Sequence, residues 1–452
     1  MKLSYIIAGL VSTLLFKIIF NISIYESISA GLFIYYFIKI IDEFGNSIWI
    51  ILDLIIIQAI LMWLVIPIFF YHYFNESHHL AVIWVKTMPI KSNDYYGYVL
   101  PALLSMSIGL QFTKSNIASS IETIKARILN NQLIIQSNTG LYLILISFVA
   151  NLLDPFLPSN FDFILFLFKK LVIIGLLYLF FSNNILNYTY ILIGFASLIL
   201  GSIRSAMFGE LIFLSVLSSI IIFLKYQNNF TKKIIIIISG VFLLILFQNI
   251  KLEYRKIAWK SGGDPTLFFN IIVKYASDPS LLFDPEKQFF NAVRLNQGWL
   301  IATTMNRVPR LVPFANGETI IQSILSIIVP RFFWPDKAKS GGQYNLTRFL
   351  GFGKINYSMN ISPVGEAYAN FGIIGGIIFM LFYGLFFCTS LELIIKICET
   401  KAPTIILWLP LLFQNSISVE TDVLTTVNSL LKSSIFVYLI YKIWPIIFNE
   451  NL

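Results

Sequence analysis

Charged side chains are scarce here: Asp, Glu, Lys and Arg make up 12% of 452 residues, 57% are hydrophobic, and the mean hydropathy is +0.79. So thin a polar complement cannot clothe a water-soluble globule, which excludes a soluble enzyme or a soluble nucleic-acid-binding domain. Cysteine is scarcer still. Cys388 and Cys398 lie ten residues apart, a spacing that suits neither a metal site nor a local disulfide, so nothing supports redox chemistry. The three histidines, His72, His78 and His79, bunch together with Glu76 as the one carboxylate beside them, and an interfacial cluster describes them better than a metal centre. No G-x-S-x-G elbow and no P-loop occurs, which leaves serine hydrolysis and ATP-driven transport without sequence support. No metal, no cofactor and no nucleic-acid partner is expected.

Apolar runs are abundant. A hydrocarbon core of about 30 Å takes roughly 20 apolar residues per helical crossing. The sequence offers about twelve such runs, at 2–20, 23–41, 48–74, 96–112, 139–153, 161–181, 188–203, 206–224, 233–250, 366–395, 403–418 and 430–448. The fold class is therefore an all-α polytopic membrane protein. No small-residue cleavage pattern follows the first run, so it is read as a retained helix and not a signal peptide.

Lysine and arginine in the short loops set the orientation. Threading twelve crossings puts Lys2, Lys39, Lys114, Lys125, Arg127, Lys225, Lys232, Lys233, Lys396, Lys401 and Lys442 on one side, expected to be the cytoplasm. Lys86 and Lys91, in a short outer loop, break the pattern. Residues 1–250 then hold about nine membrane helices, 251–365 form a large outer loop with short interfacial helices, and 366–452 hold about three more membrane helices.

That loop carries fourteen Lys and Arg against seven Asp and Glu, so +7 of the chain's +9 lies there. Attraction to anionic headgroups is the plainer explanation, at about 1 kcal/mol per basic residue. Spacing favours a site for an anionic substrate. Arg294, Arg307, Arg310 and Arg331 are set among aromatic, glycine and proline residues, in "RLNQGWL" (294–300), "NRVPRLVPFANGET" (306–319) and "VPRFFWPDK" (329–337). A dense lysine run would suit headgroups, whereas arginine's planar fork grips phosphate bidentately. Between them, 319–329 is apolar at helical spacing but only about 16 Å long, which predicts an interfacial helix. The glycine-rich, basic stretch 339–354 is either a mobile flap or an ordinary loop.

Together with "GSIRSAMFGE" (201–210) and "SPVGEAYANFGIIGG" (362–376), these motifs resemble the Wzy-type O-antigen polymerases, the oligosaccharide repeat-unit polymerases. The resemblance covers roughly residues 200–395, and "PRFFWPDK" with "GEAYANFG" is its most specific part. It implies a GT-C-like fold in the bacterial inner membrane. It also implies an enzyme that transfers a growing glycan from undecaprenyl pyrophosphate to the non-reducing end of a new lipid-linked repeat unit at the periplasmic face. No nucleotide sugar and no metal would take part, and a Wzz-type chain-length co-polymerase would be a partner.

Such chemistry needs cations for the departing pyrophosphate, a base or positioned acceptor, and a sugar groove. Arg331, Glu366 and Asp336 are the catalytic candidates; Arg204, Arg294, Arg307, Arg310 and Lys337 are the pyrophosphate candidates. Glu366 either caps its helix or acts as the base, facing an outer aqueous cavity, and the sequence does not separate the two. Asp336 has a local ion pair with Lys337 as its plainer role, Arg204 a snorkelling one, and Glu318, a further possible base, a solvated one. Trp334, Trp299 and Tyr368 offer faces for sugar stacking, or belong to the interfacial aromatic belt. Two alternatives stay open. A WaaL-type ligase typically relies on a histidine in the large outer loop, and 251–365 has none; a flippase should show internal repeats, and none is evident.

Overall fold

The computed structural model describes residues 3–75, 77–80, 87–130, 137–158, 161–182, 184, 187–226, 230–328, 334, 342–352 and 359–448. Among them every regular element is helical. In chain order the helices are α1 Leu3–Phe20, α2 Ile24–Glu43, α3 Ile50–His72, α4 Ser92–Gln111, α5 Ala118–Leu129, α6 Ser137–Leu153, α7 Asp162–Phe181, α8 Asn187–Ser205, α9 Gly209–Leu224 and α10 Phe230–Ser261. Then come α11 Pro265–Ser277, α12 Pro285–Leu295, α13 Gln297–Arg307, α14 Glu318–Ile328, α15 Ser362–Thr400, α16 Pro403–Phe413 and α17 Val423–Phe448.

Among the described residues nine helices are long and apolar enough to cross a membrane: α1, α2, α3, α6, α7, α8, α10, α15 and α17. The protein is a multi-pass α-helical membrane protein. The three other expected segments are helices as well. α9 and α16 are apolar but shorter, and α4 is long but more polar because it lies inside the bundle, with Tyr95, Tyr96, Tyr98 and Leu103 fully buried. By contrast α10, with only 6% of its apolar window buried, presents its side chains outward. Its 32 residues span about 48 Å, longer than a hydrocarbon core, so the helix runs unbroken across position 251, and this stalk buries Tyr254 and Ala258 in a cluster with Phe268 and Ile271 of α11.

α4 and α15 run parallel at the centre. Tyr98 donates to the Val364 carbonyl (2.7 Å) and Ser105 to that of Ile377 (2.9 Å). Further along, a Cβ on Gly384 would lie 2.3 Å from the Met106 carbonyl oxygen, so only glycine allows this approach. The basic residues expected on one side gather at this end of the bundle. Lys39 pairs with buried Asp53 (2.6 Å), Lys114 with Glu43 (3.0 Å), Lys233 donates to the Asp42 carbonyl (2.7 Å), and Arg127 to that of Glu399 (3.0 Å). At the opposite end Glu26 joins α2, α3 and α4 through His72 (3.0 Å) and Ser92 (2.8 Å).

α15 is broken at Gly372, whose φ of 68° and ψ of −160° suit glycine alone. The break lets Glu366 and Tyr383 both reach the first turn of α17: Val423 N–H donates to Glu366 and Tyr383 to Thr426. In a straight helix seventeen residues would separate the pair by about 26 Å. Gly372→Ala is expected to cost about 1–3 kcal/mol, and Gly384→Val a similar amount by forcing α4 from α15. Each would show as a lower melting temperature of the detergent-solubilised protein.

Candidate functional site

Glu366 lies one turn inside α15, with Pro363 and Gly365 before it; Ser362, at positive φ, starts the helix. Its carboxylate is buried at 1% exposure and does not face an open outer cavity. Thr319 at the start of α14 donates to one oxygen (2.9 Å), the Val423 N–H at the start of α17 donates to the other (3.0 Å), and the Asn345 side chain lies against the same group. Glu366 therefore caps a helix, but that helix is α17 and not its own. Asn370, one turn on, extends the network: its amide donates to Thr319 (2.7 Å) and its oxygen accepts from Gly317 N–H (3.1 Å). The backbone carbonyls of Ala369 and Asn370, left without partners by the break at Gly372, accept from Ala315 (3.0 Å) and Asn316 (3.1 Å). The "FANG" turn of the second arginine motif is thereby fastened to α15.

α14 shows only part of the expected interfacial character. Its apolar Ile321, Ile324 and Leu325 point outward, while polar Thr319, Ser323 and Ser326 are buried, and it packs against α17. A helix with that inverted pattern faces lipid. Glu318 at its first position is held by Arg348 (2.7 Å), whose guanidinium keeps this carboxyl below the usual carboxylate range. A base is poorly served by such a partner.

The eleventh expected span is helical only over α16, about 16 Å, too short to cross alone. Residues 414–422 follow as non-helical turns folded into the bundle, with Gln414, Ser416, Ser418 and Asp422 all at 6% exposure or less. Asp422 caps α17, accepting from Thr425 N–H (2.8 Å), next to Glu366. Gln58 on α3 accepts from Val419 N–H (3.3 Å). Irregular backbone at this depth is tolerated only where protein or polar space surrounds it.

The outer side of this turn carries the cations. Arg294, closing α12, grips Glu420 bidentately (2.8 and 3.2 Å). Lys251 and Arg255, one turn apart on the stalk of α10, lie close enough to Arg294 to repel it, and Lys251 has no hydrogen bond or ion pair among the described residues. Arg255 Nε also donates to the Ala206 carbonyl (2.8 Å), and Tyr254 to that of Ile203 (2.9 Å), which clamps the "GSIRSA" junction to the stalk and brings exposed Arg204 alongside. Glu420 thus pairs with Arg294 and faces Lys251, while Arg255 lies beside Arg294.

The other predicted residues are dispersed. Arg307 closes α13, about 16 Å from the Arg294 end, where it donates to the Phe349 carbonyl (3.0 Å) and abuts Gly351; Arg310 is exposed in the next turn. Trp299 stacks on Phe352. Tyr368 is buried, edge-on to Tyr98 and Phe314, and donates to the Val308 carbonyl, so neither ring face is open to a sugar. Trp334 is half-buried. Arg331, Asp336 and Lys337 lie outside the described residues. Lys251, Arg255, Glu420 and Asp422 were not singled out from sequence. The first two sit at i, i+4 in "KLEYRK", and the acids in "FQNSISVETD", a polar interruption of the C-terminal apolar region. Among the described residues no His, Cys, Asp and Glu group is disposed to hold a metal.

Residues 3–400 match a family described as a domain of unknown function, DUF8712. The chain belongs to this family. No curated protein matches it, and no solved structure does. The site's geometry is therefore its own evidence. Glu366→Ala would leave the Val423 N–H unpaired and take away the acceptor of the Thr319 hydroxyl proton, at about 1–3 kcal/mol each. Glu366→Gln, which still accepts from one of them, is expected to melt several degrees above Glu366→Ala in detergent.

Proposed function

We propose that the protein is a membrane glycosyltransferase of GT-C-like architecture. It polymerises lipid-linked oligosaccharide repeat units at the periplasmic face of a bacterial inner membrane, with undecaprenyl pyrophosphate as the leaving group and a Wzz-type co-polymerase as a partner. One observation carries the reading. Four of the five motifs quoted from sequence, spread from residue 201 to 376, meet at one end of the bundle: "GSIRSAMFGE" on the stalk, "RLNQGW" on Glu420, "ANGET" on α15, and "GEAYANFG" on α17. Residues that come from unrelated parts of the chain and close on one another suit a site better than a scaffold.

On this reading Lys251 and Arg255, half-buried, and Arg294, exposed at the rim, stabilise the negative charge that develops on the departing pyrophosphate. Arg331 adds to them from "VPRFFWPDK". Glu366 and Asp422 place the acceptor beside them, and Glu366 acts as a positioning residue because both of its oxygens already hold donors.

The test is the length of the surface polysaccharide on a gel from a strain lacking the gene. Truncation to one repeat unit, restored to a ladder by wild type, is expected. Arg255→Ala and Arg331→Ala should each lower polymer yield about 10-fold or more, the worth of a lost charge-assisted hydrogen bond. Complete loss of the glycan with lipid-linked units at the inner leaflet would instead mean a flippase, and long polymer left on its carrier a ligase.

A further inference from the structure

A helix at the edge of a bundle still buries one stripe against its neighbour, as α1 does at Gly9 against Gly31 of α2 and α8 does at Gly194 against Leu176 of α7. Along α10, by contrast, no residue from 234 to 248 is buried. Contact is concentrated at its two ends. At the lysine-rich end Lys233 is buried and reaches the Asp42 carbonyl (2.7 Å), and Ile236 and Ile237 pack on the bundle core. At the other end Leu246 and Phe247 join the cluster built on Tyr254 and Phe268, and buried Asn249 accepts from Asn291 of α12 (3.1 Å). Between these anchors, from 238 to 245, no side chain belongs to a packed cluster, and a Cβ on Gly240 would meet nothing within 4 Å. Ile238 and all of Val241, Phe242, Leu243, Leu244 and Ile245 are 40–56% exposed. The last five run through more than a full turn, so the helix is open on every side at that depth. α10 and the bundle thus frame a window about 12 Å tall.

Such a window inside the hydrocarbon layer fills with lipid chains, because an empty gap would forfeit the contacts of its lining. Charge on the frame sets it apart from ordinary lipid-facing surface. Lys251 follows Ile245 by about 9 Å along the same helix, and Arg255 lies one turn further out. Lys251 makes no hydrogen bond or ion pair among the described residues, and with Arg255, Arg294 and Glu420 it sums to +2, three cations less one carboxylate. A phosphodiester headgroup brings a single negative charge, whereas a pyrophosphate diester carries one on each phosphate and balances the set. We infer that the window holds the polyprenyl chain of the lipid-linked donor: the chain lies between α10 and the bundle, and its pyrophosphate rests on Lys251 and Arg255. The inference deepens the polymerase reading and rests on it. α10 becomes the lateral entrance by which the donor reaches the site from the bilayer and by which the emptied carrier leaves.

Photo-crosslinking of the full chain in nanodiscs tests it, with benzoylphenylalanine in place of Phe242 in the window or of Leu10 on α1, which is 61% exposed to ordinary lipid. The probes are radiolabelled undecaprenyl pyrophosphate and radiolabelled phosphatidylglycerol. The polyprenyl probe is expected to label position 242 several-fold more strongly than position 10, and phosphatidylglycerol to label both alike. Lys251→Gln removes the charge without breaking a bond and should lower polyprenyl labelling at 242 about ten-fold. Unchanged phosphatidylglycerol labelling in that variant reports an intact fold. Equal polyprenyl labelling at both positions, or labelling at 242 indifferent to Lys251, overturns the window as a carrier site. Selective labelling of 242 by phosphatidylglycerol that excess undecaprenyl pyrophosphate does not displace overturns the carrier as occupant. The expected pattern in a protein whose deletion leaves the polysaccharide ladder intact supports the window and removes the polymerase reading; a ladder that depends on the gene without selective labelling removes the window and leaves that reading standing.

Discussion

A carboxylate buried in a membrane bundle needs donors for both oxygens, and Glu366 meets that need by drawing three other segments onto its own helix. The Thr319 hydroxyl fixes where α14 begins, the Val423 N–H fixes where α17 begins, and Asn345 brings in the segment after the arginine motifs. The segment around Asn345 and α14 are short, and α17 starts at a turn. The arrangement is also directional. The unsatisfied N–H groups that open α17 carry partial positive charge, so a carboxylate there is stabilised as it would be nowhere else on that helix.

The break at Gly372 makes this meeting possible and creates a second demand, because carbonyls released from a helix inside the bilayer must be paired again. Ala315 and Asn316 supply the pairs, and Gly317 adds a third bond to the Asn370 side chain. A loop that would otherwise be free at the surface becomes part of the membrane domain. The fold of α14, which turns polar residues inward and isoleucines outward, follows from that attachment: its polar face meets the carboxylate network and its apolar face is left to lipid.

Most of the helical framework is legible in sequence, since runs such as 161–181 and 233–250 have one reading in a bilayer. The clustering of Lys39, Lys114, Arg127 and Lys233 at one end could be read from the positive-inside pattern alone. The site was legible in parts. Motif residues Arg294, Glu366 and Arg204 do come to one end, whereas Arg307 is carried away by the length of α13, and Tyr368 is covered because its position on α15 faces α4. The turn at 414–422 was hidden for a different reason. Its neighbours are so apolar that averaging over a crossing length reads 403–418 as one span, though Gln, Asn and Ser in succession mark where the helix stops. Lys251 and Arg255 were hidden because α10 outruns the apolar run that marks it, and composition does not show what its last turns pack against.

Charge is distributed unequally between the two ends, and that bears on mechanism. At the lysine-rich end the charges close on one another: Lys39 on Asp53, Lys114 on Glu43, Lys396 on Glu392. At the other end Glu420 pairs with Arg294 and faces Lys251, Arg255 lies beside Arg294, and the acids Glu366 and Asp422 are held by neutral hydroxyl, amide and backbone donors. Burying an unpaired cation deep in the bundle would cost several kcal/mol, so cations free to meet an anion belong at the rim. Uncharged polar groups carry no such penalty once paired and can sit deeper. On the polymerase reading proposed above, an anionic lipid bearing a neutral glycan would meet these groups in the same order.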